Sequence, residues 1–142
     1  MFKPTSRGRA VAAAQPNRVL AWGTAFLLAN GLAVLAFGLA FVAYPQGFVD
    51  GGSDAQLGLL RADGLATTGM GLFGIVIAVR GFRRRETWAW LALWFVPAFW
   101  AIHFVAGLPP GMDHVHQIVF LALSLLGLLL PIRQFFPPKI EP

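Results

Sequence analysis

The sequence predicts an all-α fold, a bundle of four transmembrane helices with both termini in the cytoplasm. The chain is 57% hydrophobic and only 12% charged, whereas an average soluble domain is about 45–50% apolar and about 25% charged. Its apolar residues are gathered in long runs, as in segments that have lipid as their solvent. Ten of the eleven Lys and Arg residues lie in segments that this topology keeps in the cytoplasm, as the positive-inside rule requires. We therefore expect a multi-pass protein of the cell membrane.

The predicted organisation is a membrane domain at residues 19–132, between a basic cytoplasmic tail at 1–18 and a short cytoplasmic tail at 133–142. The four helices are predicted at about 19–44, 57–80, 88–106 and 114–131. The chain carries a formal net charge of +5. Because the basic residues flank the spans, where they set orientation and meet anionic lipids, this charge indicates a lipid bilayer as the partner and gives no support for nucleic acid.

The first predicted helix ends at Tyr44-Pro45, because the residue before a proline is disfavoured in the α-helical conformation. Its alanines recur every four residues, a spacing that aligns small side chains on one face, where a neighbouring backbone can come close. They are Ala21, Ala25, Ala29 and Ala33. Asn30 lies in mid-span and needs a hydrogen-bond partner there, because an unsatisfied amide is costly in hydrocarbon.

The second predicted helix follows a flexible, acidic loop at residues 45–56 and is expected to be the central helix. A stripe of small residues runs along it: Asp63, Thr67, Gly71, Gly74 and Ala78. We expect Gly71 and Gly74 to pack against the alanine face of the first helix, at Ala25 and Ala29. Arg61 lies on a different stripe, from which its side chain can reach the lipid head groups.

Four arginines surround the turn before the third helix and are predicted to hold that turn in the cytoplasm. They are Arg80, Arg83, Arg84 and Arg85. The third helix is rich in tryptophan, and Pro97 in its middle lacks a backbone donor, so we expect a kink there. Asp113 is well placed as the N-cap of the fourth helix.

Three local features match a known kind of protein. They are Pro45 after the first helix, Arg61-Ala-Asp-Gly64 at the start of a glycine-rich second helix, and the Arg83-Arg-Arg85 turn before a tryptophan-rich third. In these features the chain resembles the small four-helix bacterial membrane proteins of the DoxX-like kind. The resemblance covers most of residues 19–131 and implies the four-helix fold. Some members of that kind are associated with quinone-linked sulfur or redox metabolism, although the absence of cysteine here argues against a thiol-based role.

A candidate polar site lies near the predicted outer face of the membrane. Asp63, His103 and His116 fall at similar depths on three different helices, and Arg61 is close to Asp63 in sequence. A histidine–carboxylate group in that place can bind a divalent metal, relay protons or hydrogen-bond a quinone carbonyl. We hypothesise that Asp63 bonds His103 across the bundle, at the inner end of an outward-facing polar pocket.

Structural explanations compete with this hypothesis. His114 and His116 are two residues apart, so they do not form a helical metal-binding pair, and His114 suits the head-group region. Capping explains Asp113. A haem between His103 and His116 has no other support. No metal site is therefore assigned.

Three functions remain open, one of which is a small transporter, for which four spans would usually need an oligomer. In the first of the other two, the protein is an accessory or structural membrane protein, as a homo-oligomer or within a larger membrane complex. In the second, it is a redox, quinone-binding or lipid-binding subunit that uses Asp63 and His103. A tight bundle that keeps these residues apart favours the first function, and an apolar pocket ending at both favours the second. The cofactor is open between a quinone and a lipid, and the lack of cysteine excludes thiolate-bound cofactors.

Overall fold

The computed structural model describes residues 6–49, 51–108 and 114–136, with side chains from Arg18 onward. Over these ranges the chain forms helices and turns and no β-strand, so the all-α prediction is confirmed there. The α-helices are α1 (Ser6–Ala43), α2 (Asp54–Arg80), α3 (Thr87–Leu93), α4 (Phe95–Ala106), α5 (Val115–Leu129) and α6 (Ile132–Phe135).

Three helical stretches in the described ranges are long and apolar enough to cross a membrane. They are Arg18–Ala43, Asp54–Arg84 and Thr87–Ala106, and they correspond to the first three predicted spans. The apolar helix α5 has 15 residues and is therefore about 22 Å long, which is shorter than a hydrocarbon core of about 30 Å.

The N-terminal end of α1 lies further upstream than predicted, at Ser6 rather than at residue 19. Residues 10–14 contain four alanines, and alanine has the highest helix propensity of all residues. This N-terminal extension of α1 is not a continuous apolar run, so hydropathy alone does not predict it. At its other end α1 stops at Ala43, directly before Tyr44-Pro45, as expected.

Helices α1 and α2 pack against each other along their length, with glycines at the points of closest approach. A Cβ atom built at Gly38 would lie 2.8 Å from the carbonyl oxygen of Gly64, and one at Gly71 would lie 2.8 Å from that of Gly31. Since glycine has no Cβ, the two backbones touch at both levels. Gly31 pairs with Gly71, and Gly38, seven residues later in α1, pairs with Gly64, seven residues earlier in α2. The two helices are therefore antiparallel.

The central helix is α1 rather than α2, so that prediction is wrong. α1 packs against both α2 and α5, and α5 also packs against α4. Gly23 meets α5 at Gly127, where a Cβ on Gly23 would lie 2.8 Å from the Gly127 carbonyl oxygen. The glycines of α1 thus make its two main helix contacts.

The alanine ladder is not the packing face that was predicted. Ala25 and Ala29 are exposed on the surface of the described chain. Gly71 packs against α1 as expected, but the Cβ position of Gly74 has no heavy atom within 4 Å although the residue itself is buried. The error arises because alanine and glycine both count as small in a sequence pattern, whereas backbone contact between helices requires the missing Cβ of glycine.

The predicted kink is present as a one-residue interruption of the helix at Trp94, whose φ and ψ of −63° and −18° stay in the helical region. α3 ends at Leu93 and α4 begins at Phe95, so the third predicted span consists of two helices. Pro97 has no N–H to donate to the Leu93 carbonyl, which removes the hydrogen bond that would have crossed this point.

The described residues of the loop between α1 and α2 make specific contacts with both helices. Phe48 packs edge-on against Phe41, with ring centroids 4.6 Å apart. Ser53 caps α2: its side chain accepts from the Gln56 N–H while the Gln56 side chain accepts from the Ser53 N–H. This capping box is visible in the sequence as Ser-x-x-Gln, a signal that was missed.

Part of the predicted C-terminal tail belongs to the fold. Phe135 is buried and packs against Phe82, with ring centroids 4.7 Å apart. Phe136 stands edge-on to Trp90 at 5.0 Å. The predicted tail at 133–142 is therefore structured as far as Phe136, and the remainder lies outside the described residues. Apolar contacts at the end of the bundle hold these two aromatic rings.

The bundle has two chemically different ends. We call the end with the Arg80–Arg85 turn the arginine end, and the opposite end the Asp63 end. The core at the arginine end contains Phe82, Trp90 and Leu128, and Trp90 Nε1 donates to the Leu128 carbonyl at 3.1 Å. Toward the Asp63 end the core is built from Val34, Met70, Val96, Trp100 and Phe120.

The mid-span amide Asn30 is only 3% exposed, and its Oδ1 has no hydrogen-bond partner in the part of the chain that the structure describes. It lines a cavity of about 10 Å³ between α1, α2 and the α3–α4 break. The expectation that Asn30 finds a partner is therefore not met for this oxygen atom.

Candidate functional site

Asp63 of α2 and His103 of α4 come together at the Asp63 end. The Oδ1 atom of Asp63 lies 3.7 Å from the Nε2 atom of His103, and the two side chains are 26% and 17% exposed. This separation suits an ion pair but exceeds the 2.7–3.2 Å typical of a direct hydrogen bond. Both polar groups can therefore hydrogen-bond a third atom placed beside them.

The backbone and rings of α4 hold His103 in place. Its Nδ1 lies 3.1 Å from the Phe99 carbonyl oxygen, one helical turn earlier, and its ring lies on the Phe99 ring with centroids 3.9 Å apart. A carbonyl only accepts, so Nδ1 carries a proton and donates it. The free atom of the imidazole is thus Nε2, which faces Asp63.

The Asp63–His103 pair can hold a proton on either residue. If Asp63 carries it, the carboxyl O–H faces the acceptor Nε2; if His103 carries it, the imidazolium faces a carboxylate. Either state keeps a donor and an acceptor side by side. A ligand at this position can accept a hydrogen bond, donate one, or exchange a proton with the pair.

A cavity of about 360 Å³ opens beside the pair. Asp63 and His103 form its polar wall, and the rest is mainly apolar side chains from α2, the loop before it and the end of α4. The lining residues are Val49, Gln56, Leu59, Leu60, Asp63, His103 and Leu108. A mainly apolar cavity of this size with a few convergent polar groups is typical of a small-molecule binding site.

Leu108, which lines the cavity, is held in place by a buried glutamine. Gly107 adopts φ +62° and ends α4, and the Leu108 N–H bonds back to the His103 carbonyl at 3.0 Å. Gln117 of α5 is fully buried, and its Nε2 donates to the Leu108 carbonyl. Leu108 is thereby positioned from two helices. Gln117 was not singled out from the sequence, although an amide in an otherwise apolar helix is a signal that could have found it.

His116 approaches the site without lining the cavity. Its ring lies 4.5 Å from Phe37 of α1 and 6.0 Å from Trp100 of α4, measured between centroids. His116 therefore belongs to an aromatic layer behind the site.

Arg61 is not part of the site, which corrects its inclusion in the candidate set. Its side chain is exposed, on the α2 face that also exposes Leu65 and Leu72. This is the outward stripe from which snorkelling was predicted, and the helical rotation between positions 61 and 63 separates it from Asp63.

Metal binding gains no geometric support among the described residues, where no group of three or more His, Cys, Asp and Glu side chains converges. His114 N-caps α5 through its backbone conformation and makes no side-chain capping bond. Asp113, the predicted cap, lies outside the described residues.

Comparison with protein-family models, with curated proteins and with solved structures gave no match. The fold and the site thus define the class of this protein by themselves. It is a helical protein whose described part contains three helices able to cross a membrane, with a carboxylate–imidazole pair facing a mainly apolar cavity at one end.

Proposed function

We propose that the protein is a small multi-pass protein of the cell membrane that binds a lipophilic ligand with a compact polar head, of the quinone or lipid class. The observation that carries this proposal is the convergence of Asp63 and His103, 3.7 Å apart, on the wall of a mainly apolar cavity of about 360 Å³. The DoxX-like resemblance is compatible with such a ligand.

The proposed topology has four spans with both termini in the cytoplasm. The arginine end then faces the cytoplasm and the Asp63 end faces outward. α5 is short, but it packs against α1 and α4 and is followed directly by α6. A short apolar helix surrounded by longer ones can be accommodated by local thinning of the bilayer at modest cost.

The polarity of the cavity supports ligand binding over a purely structural role. Ionisable side chains within membrane helices are costly, so they mark functional positions by default. A structural pair would be expected in a tight contact, whereas Asp63 and His103 are spaced beyond hydrogen-bond distance and remain partly exposed. The accessory role is the alternative, and it requires no cavity.

The chemistry suits a ligand that carries a carbonyl or hydroxyl on a ring or head group. A carbonyl oxygen can accept from the pair, and a hydroxyl can donate to the Asp63 carboxylate while it accepts from His103. A proton held by Asp63 or by His103 also lets the site serve a ligand that gains or loses protons when it is reduced or oxidised.

Binding can be tested with a substituted benzoquinone that carries a decyl tail. The protein is reconstituted in lipid nanodiscs, and the quinone retained after gel filtration is compared with that in empty nanodiscs. We expect saturable binding that Asp63→Asn or His103→Leu weakens about tenfold, because each removes a charged hydrogen-bonding partner.

Matched variants exclude a general effect on the membrane protein. Asp54→Asn changes an exposed acid of the same helix, and His114→Leu changes a histidine that does not line the cavity. Both should bind like the unmodified protein. Retention equal to that of empty nanodiscs, together with no ligand in solvent extracts of the purified protein, would leave the accessory role as the better explanation.

A further inference from the structure

A second apolar groove lies on the same side of α2 as the Asp63–His103 cavity. It has a volume of about 260 Å³ and separates α2 from the α3–α4 break. We call it the tail groove, and its lining is Ala66, Gly69, Met70, Phe73, Gly74, Ile77, Ala92, Leu93, Phe95 and Val96. None of these described lining residues is ionisable.

The tail groove and the cavity are neighbours along one face of α2. The α2 residue nearest to it in the cavity is Asp63, and the first α2 residue of the groove is Ala66, one turn further on. From Asp63 to Ile77 the helix rises on the order of 20 Å. The two spaces therefore follow one another along α2, and the one at Asp63 has polar lining groups whereas the one beyond it is apolar.

Two glycines create the depth of the groove. Cβ atoms at Gly69 and Gly74 would meet no heavy atom within 4 Å, so neither glycine is required for helix contact, unlike Gly38, Gly64 and Gly71. Their missing side chains leave open space.

The floor and the rim of the groove differ in exposure. The floor residues Met70, Leu93 and Val96 are buried, whereas Phe73 and Phe95 at the rim are 66% and 62% exposed. The groove is thus a recess with aromatic edges that faces the lipid.

We propose that this groove holds the hydrocarbon tail of the ligand whose head binds at Asp63 and His103, so that the ligand class is a long-tailed amphiphile such as an isoprenoid quinone. This inference rests on the proposed function. The order of polar and apolar lining along α2 matches such a molecule. Its head would lie near the membrane surface, at Asp63 and His103, and its tail nearer the centre of the bilayer. Because bulk lipid solvates a tail equally well, the groove selects by shape and packing rather than by the hydrophobic effect.

The test locates the tail directly. The probe is a benzoquinone whose alkyl tail ends in a diazirine, added to the protein in nanodiscs, activated by light and mapped by mass spectrometry of the cross-linked peptides. We expect adducts on the groove residues, such as Phe73 and Phe95, and loss of these adducts when excess unlabelled decyl benzoquinone competes.

Two variants sharpen the result. The double variant Gly69→Leu/Gly74→Leu fills the groove and should abolish the groove adducts, while a tail-free benzoquinone still binds. Gly58→Leu is the matched control, because Gly58 is also an open glycine of α2 but lines neither space. It should leave the adducts unchanged.

The outcomes separate this inference from the proposed function. Ring binding that depends on Asp63, combined with adducts spread over lipid-facing residues such as Leu32 and Leu39 of α1, overturns the tail groove and leaves the proposed function standing. Absence of both competable adducts and ring binding overturns both. Competable groove adducts that disappear only in the groove-filling variant support the inference.

Discussion

Gly38 of α1 and Gly64 of α2 are in direct backbone contact: a Cβ on Gly38 would lie 2.8 Å from the Gly64 carbonyl oxygen, and one on Gly64 would lie 2.9 Å from the Gly38 carbonyl oxygen. Asp63 precedes Gly64 in the chain. This contact is therefore one of those that fix the height and the rotation at which α2 presents Asp63 to the third span. Backbone packing between α1 and α2, which involves no charged group at this level, thus helps to place the Asp63 side chain.

Replacing Gly71 with leucine should destabilise the bundle by about 1–3 kcal/mol or more. A Cβ at this position would lie 2.5 Å from the Leu35 backbone nitrogen, so α1 and α2 must move apart. Thermal unfolding in detergent measures the effect. Ala25→Leu is the matched control, since Ala25 is exposed, and it should change the melting temperature little. Equal melting temperatures for the glycine variant and the unmodified protein would refute the packing assignment.

The residues Asp63 and His103 should be energetically coupled. In a double-mutant cycle with Asp63→Asn and His103→Leu, we expect a coupling free energy of about 0.5–2 kcal/mol. Each single change leaves the other group without its partner, so the double variant should be less destabilised than the sum of the singles. The measurement is the free energy of unfolding in mixed micelles. Strictly additive effects would show that the two side chains are neighbours without interaction.

The arginine turn should determine the orientation of the chain. Neutral replacement of Arg83, Arg84 and Arg85 is expected to produce a mixture of orientations, because the basic N-terminal residues still favour the original one. A reporter fused after Gly81 reads the side of the membrane. In the unmodified protein it should report the cytoplasm, and an extracytoplasmic signal there would reverse the proposed topology.

The capping box at the start of α2 should contribute to stability. Ser53→Ala removes the side-chain acceptor for the Gln56 N–H and is expected to cost about 0.5–2 kcal/mol, seen as a lower melting temperature. Ser53→Asp keeps an acceptor at the same position and should retain most of the stability. If alanine and aspartate behave alike, the cap makes no measurable contribution.

Much of the helical organisation can be predicted from contiguous segments of the sequence. The end of α1 before Pro45 and the break before Pro97 follow from the missing N–H and the ring of proline, and the three long apolar stretches follow from hydropathy and length. The buried stripe of α2, which includes Thr67 and Ala78, follows from helical periodicity. These are local properties, so they can be predicted without knowledge of the neighbours.

The tertiary structure alone decided which helix is central and which small residues touch. Alanine and glycine ladders give the same signal in a sequence, but the glycines of α1 lie against α2 and α5, while Ala25 and Ala29 are exposed. Similar depth made Asp63 and His103 candidates for one site, yet their 3.7 Å approach depends on how far each helix is rotated and shifted. Rotation and shift are fixed by the packing of all side chains at several interfaces together, and no single segment of the sequence contains that information.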